Sequence, residues 1–209
     1  MEGHLRPSGQ LVARKIPRTR APLSWRVRNT LRWGFIRGWI AAHLIAPFAN
    51  AWGVMTAVGS LDVVLIKASG ERIYYGTVGY RVITSAGVAH IVDAWQNAVE
   101  VENLKYHGCG TGTTAEASGD TALVAESTTV LNPDSTRATG TQTETSANVL
   151  KSVGTVTFDG SAAITEHGLF SQAATGGGTL WDRTVFSAIN VVSGDSIAFE
   201  YSATLSAGG

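Results

Sequence analysis

Five histidines, one cysteine and sixteen carboxylates are the side chains of this 209-residue chain with the chemistry for catalysis or metal binding. His107 and Cys109 lie two apart, which on a strand places both on one face, and His167 follows Glu166. A zinc site needs three or four converging ligands at recognisable spacing, and a single cysteine rules out any CxxC arrangement or intrachain disulfide. No metal is expected, and Cys109 reads as a small buried hydrophobe. Nucleophilic catalysis needs a Ser or Cys, a base and an orienting group, and His4, His43, His90, His107 and His167 sit in no such local signature. Glu116, Asp120, Glu126, Asp159 and Glu166 read as surface or turn residues, not as a catalytic carboxylate pair. Residues 108–114 (GCGTGTT) have the glycine density of a phosphate loop but lack its Lys-Ser/Thr pair, so they read as a tight turn between β elements with no cofactor. Asp182 and Arg183 read as a local pair or as an arginine lying over an aromatic ring, worth little if exposed. The residue types favour a non-enzymatic protein.

Recognition chemistry is concentrated elsewhere. The formal net charge is zero, yet nine of the sixteen basic residues precede residue 50, where Glu2 is the only acid. That segment carries about +8 and the remainder about −8, so the N-terminal part is suited to docking on something acidic: another subunit, nucleic acid or a lipid surface. Arg14, Arg18, Arg20, Trp25, Arg28, Arg32, Trp33 and Trp39 are the candidate partner-binding residues. Charged residues make up only 15% of the chain against 44% hydrophobic, a composition suited to a surface that meets other protein. Residues 38–61 contain no charge, which is the layout of a membrane span. His43, Pro47, Asn50, Gly53 and Gly59 dilute that stretch, and a membrane partner is not expected.

The elements that must position these groups divide into residues 1–54, a basic, tryptophan-rich arm and hydrophobic helix, and residues 55–209, a β-rich domain. Pro7, Pro17 and Pro22 keep the first stretch extended, and Met55 stands where a second translation start could fall. A helix is predicted from Ser24, as N-cap, through Leu31, Phe35 and Trp39 until Pro47 stops it, apolar on several sides and suited to burial between subunits. Residues 62–67 and 73–84 read as strands around a turn. The spacing then predicts a helix over 85–100 with Val88, Ile91, Val92, Trp95 and Val99 on its core face, Trp95 being the anchor. Asp120 reads as the N-cap of a short amphipathic stretch. Strands follow at 148–158, 163–171, 179–188 and 196–205, separated by Asp159-Gly160, Gly176-Gly177-Gly178 and Gly194-Asp195. This pattern predicts a mainly β chain, an antiparallel sandwich or jelly-roll-like domain with one packed helix.

Three segments carry a resemblance. Residues 105–126 (KYHGCGTGTTAEASGDTALVAE), 164–171 (ITEHGLFS) and 180–197 (LWDRTVFSAINVVSGDSI) resemble tailed-phage virion structural proteins, over roughly residues 80–209. The resemblance implies a capsid decoration or cement protein, with a tail, collar or fibre component as the alternative. It implies residence in the virion, the major capsid protein or other virion subunits as partners, and homo-oligomers. The arm, outside the resemblance, would lock neighbouring subunits, and contact with packaged nucleic acid is open to it.

Overall fold

The computed structural model describes residues 3–5, 11–13 and 19–208. The backbones of β1 (Gly3–Leu5) and β2 (Leu11–Ala13) pair antiparallel. β3 (Thr19–Arg20) leads into α1 (Leu23–Thr30), α2 (Trp33–Ile40) and α3 (Ala46–Ala51), the last two joined by a π-helical segment at Ala41–Ile45. Next come β4 (Thr56–Ile66), β5 (Arg72–Tyr80), β6 (Val82–Ile83) and α4 (Ser85–Trp95). The rest is strand and loop: β7 (Tyr106–Gly110), β8 (Ala138–Thr139), β9 (Thr141–Ser146), β10 (Val149–Thr157), β11 (Ala162–Phe170), β12 (Leu180–Val191) and β13 (Ser196–Ser206).

The chain is mainly β, as its alternation and turn residues predict, and its strands form two large sheets. One has the order β3-β5-β4-β13-β10-β9 and the other β6-β12-β11-β7-β8. Every pairing in them is antiparallel except the short parallel contact of β3 with β5. Alternate residues of β4 and β13 (Leu61, Val63 and Leu65; Ile197, Phe199 and Tyr201) meet Cys109, Ile164, Leu169, Phe186 and Ile189 of the second sheet. Burial of each large side chain contributes about 1.5–3 kcal/mol. β11 and β12 are buried on both faces, because residues 111–135 cross the outer face of their sheet and seat Leu123 against Phe170 and Leu180.

Several expectations are corrected. The helix predicted from Ser24 to Pro47 is broken at Arg32, whose extended backbone (φ −66°, ψ 136°) separates α1 from α2. Ser24 is not its cap, since Pro22 precedes the first turn, and Pro47 does not end it. The π-helical segment ahead of Pro47 accommodates the missing N–H and the bulk of the ring, so the chain continues helically to Ala51. Of the turn expected over 108–114, residues 108–110 instead belong to β7, a largely buried strand paired with β11 on one side and β8 on the other. Asp120 caps no helix, and its carboxylate instead accepts from the Ala117 amide and pairs with Arg183.

The largest correction concerns α4. Thr84 caps it by accepting from the Gly87 amide at 2.9 Å, and it ends at Trp95, ahead of Asn97 in the left-handed region (φ 57°). Its buried residues are Gly87 and His90, while Val88, Val92 and Trp95 face outward, Trp95 at 78% exposure. The reason is steric. A Cβ on Gly87 would lie 2.5 Å from the Trp181 carbonyl oxygen, so the helix approaches β12 along the one line where it has no side chain. α2 packs the same way: a Cβ on Gly38 would stand 2.7 Å from that of Tyr80, and Trp33 and Trp39 are left outside.

Candidate functional site

The polar residues that looked separate in the sequence form a continuous line through the sandwich. Strand alternation sends Asp182, His167 and His107 to the inner face of the second sheet, and Glu166 and Arg183 to its outer face. On the inner side Arg81, at the crossing from β5 to β6, pairs with Asp182 and approaches His167 Nδ1 at 2.6 Å. His167 Nε2 lies 3.0 Å from His107 Nδ1, and His107 Nε2 lies 2.9 Å from Ser152 Oγ on the opposite sheet. Arginine offers only donors, so it fixes the tautomers. Arg81 donates to His167 Nδ1, His167 Nε2–H donates to His107 Nδ1, and His107 Nε2–H donates to Ser152. Both rings are therefore neutral. Burial, then the charge of Arg81, depresses the His107 pKa to about 3 and puts that of His167 well below its ordinary value. Burial pushes the Asp182 carboxyl up against the pull of Arg81.

On the outer side Glu166 receives Arg183 Nε at 2.9 Å and Nη2 at 2.8 Å, together with the amides of Gly112, Val124 and Ala125. Arg183 also reaches Asp120 at 2.9 Å. Arg137 pairs with Glu126 at 2.6 Å and lies over the Phe170 ring at 3.5 Å. The expected local pairing of Asp182 with Arg183 is thus replaced by two separate ion pairs on opposite faces. Glu116 and Glu166, read from the sequence as surface residues, are buried. These networks bind strands to each other and to the loop at 111–135. A serine beside a histidine is the beginning of a hydrolytic site, but Ser152, His107 and His167 are all fully buried, so no substrate carbonyl reaches Oγ. Among the described residues no group of three or more His, Cys, Asp or Glu is arranged to hold a metal ion.

The N-terminal helical layer exposes many of the chain's large apolar side chains. α1 closes the open side of the sandwich between β5 and β12. Trp25 Nε1 donates to the Ala188 carbonyl at 2.8 Å and its ring meets Tyr75 edge-on at 4.6 Å. Asn29 ties the Val78 carbonyl of β5 to the Ser187 amide of β12, both at 2.8 Å. Trp25, one of the candidate partner-binding residues, is thus part of the core at 6% exposure. On the opposite face of the helix Leu23, Val27 and Leu31 point outward, flanked by exposed Arg26 and Arg28, and Arg28 and Arg32 line the groove with them. Trp33 is 71% exposed, and Trp39 is half-exposed and stacked on His43. Further on, Leu44, Ile45, Phe48 and Trp52 are also exposed. Arg20 is exposed on β3, and Arg14 and Arg18 lie outside the described residues. The sequence reading missed the row Leu23, Val27 and Leu31, whose i, i+4, i+8 spacing was the available signal. Among the described residues no helix is long and apolar enough to cross a membrane.

Comparison with models of known protein families finds no match, and neither does comparison with curated proteins.

Proposed function

We propose that this chain is a non-enzymatic structural protein of a tailed-phage particle, a capsid cement or decoration protein. Its sandwich sits on the shell and its N-terminal helical layer engages neighbouring subunits. The observation that carries the reading is the number of large apolar side chains that layer leaves exposed, Trp33, Trp39, Leu44, Ile45, Phe48 and Trp52, in a segment that also carries a cluster of arginines. Large exposed apolar surface on a domain marks a site of interaction, and tryptophan and arginine are among the residues most enriched in interface anchors. The internal polar networks support the same reading, because they cross-link strands and loop and leave the surface to do the recognition. The resemblance of residues 105–126, 164–171 and 180–197 to virion proteins supplies the setting, with the major capsid protein or other virion subunits as partners.

Quantitative stoichiometry of the chain in purified particles tests this. Hundreds of copies, lost on replacing the exposed Trp33 and Trp52 by Glu, are the expected result. A handful of copies replaces the shell assignment with a tail, collar or fibre role, and absence from the particle overturns the virion reading altogether. Arm contact with packaged genome would weaken steeply with salt, since it depends on phosphate neutralisation.

A further inference from the structure

Two exposed apolar stripes lie near the same strand of this chain. α1 is fixed to β12 through Ser187 and Ala188, and α4 rests on it at Trp181. α1 and its C-cap present Leu23, Val27 and Leu31 at i, i+4, i+8, and α4 presents Val88, Val92 and Trp95 at i, i+4, i+7, each row on the face opposite the helix's buried residues. Their surroundings are opposite in charge. The α1 stripe lies in a shallow groove with Arg28 and Arg32, and Arg26 flanks its other side. The α4 stripe has exposed Asp93 on its own helix and exposed Glu100 and Glu102 in the segment held against it by His90, whose Nε2 approaches the Glu100 carbonyl at 3.4 Å.

We infer that the occupant of each stripe is the other stripe of a second copy of this chain, in a closed two-fold dimer. A two-fold axis that seats α1 of one copy on α4 of its partner necessarily seats α4 on the partner's α1, so both apolar rows are covered together. Arginines then face carboxylates across each contact, while a pairing of like helices would set arginine against arginine and carboxylate against carboxylate. Trp95 is the anchor, a large amphipathic ring entering the groove between Leu31 and the arginines. The rest of the helical layer, Trp33 through Trp52, stays free for the partner in the particle. The inference rests on the premise of the proposed function that the helical layer is an interface, and adds α4 to it.

Sedimentation of the full-length chain and of two variants, Leu31→Glu and Trp95→Glu, tests it. Both positions are exposed, so each variant is expected to keep the wild-type melting temperature at a dilution where the wild type is monomeric, and that measurement accompanies the experiment. At ~100 µM, where an interface of ordinary size is populated, the wild type is expected to be a dimer. Each variant alone is expected to be a monomer, with association weakened ~30-fold or more, as for a buried aromatic anchor. Loss is required in both variants, because a pairing of like helices would leave one of the two dimeric. Added salt weakens the wild-type dimer. A monomeric wild type, or a Leu31→Glu or Trp95→Glu variant that stays dimeric, overturns the inference. Loss of binding to vesicles of anionic lipid in Leu31→Glu, with a monomeric wild type, assigns the α1 stripe to a membrane surface instead. Particle stoichiometry is a separate measurement, so failure of the dimer and failure of the virion role are distinguishable.

Discussion

Acidification from pH 7.5 to 5 is expected to destabilise this protein through the His107–His167 line. In the folded state both rings are neutral, held so by burial and by donation from Arg81, and His107 has its pKa depressed to about 3. In the unfolded chain each histidine returns to the ordinary value of about 6.5. As pH falls below 6.5 the unfolded chain therefore takes up protons that the folded chain does not. Stability is full above pH 6.5 and is lost progressively down to about 3, where His107 titrates in the folded state. At 1.36 kcal/mol per pH unit, His107 alone costs about 2 kcal/mol by pH 5. With a urea slope of about 2 kcal/mol per M, the unfolding midpoint moves down by on the order of 1 M. His167 adds to the loss in the same direction. Asp182, whose carboxyl burial pushes up, works in the opposite sense, so the decisive quantity is a difference between proteins and not the wild-type slope. In His107→Gln the amide oxygen can accept from His167 and the amide nitrogen can donate to Ser152, with no group left to titrate at that position. The urea midpoint by tryptophan fluorescence should fall less in this variant than in the wild type between pH 7.5 and 5, by the His107 share. Equal pH dependence in the two proteins would refute the assignment of neutral, directionally bonded rings.

Glu166→Gln removes the charge facing Arg183 and places an amide N–H among donors. A loss of about 3–5 kcal/mol is expected, seen as a drop in melting temperature on the order of 10 °C. Trp25→Ala should cost about 3–5 kcal/mol in chemical denaturation, whereas Trp33→Ala, on the exposed side of the same layer, should stay within about 0.5 kcal/mol. Gly110→Ala sets a Cβ 2.2 Å from the Ala125 carbonyl oxygen and 2.8 Å from Glu166 Oε1, and should destabilise by about 1–3 kcal/mol in the same assay.

The strands were legible in the sequence because their period of two and the Asp-Gly and Gly-Gly-Gly turns are local properties. β10 to β13 accordingly fall within a few residues of their expected ranges. The basic N-terminal segment was legible for the same reason, since charge along a chain needs no partner to be counted. The direction in which α4 faces was not. Its apolar row predicts burial, but the approach to β12 passes only where Gly87 leaves room, and that constraint belongs to the Trp181 backbone nearly a hundred residues away. The ion pairs were equally out of reach: Asp182 and Arg183 are neighbours in sequence but point to opposite faces of one strand. Their partners, Arg81 for one and Glu166 with Asp120 for the other, are chosen by sheet order and by the path of the covering loop. Local periodicity thus determined which residues form strands and helices. Only tertiary packing, through steric access and the pairing of buried charges, decided which helix faces remain open to a partner.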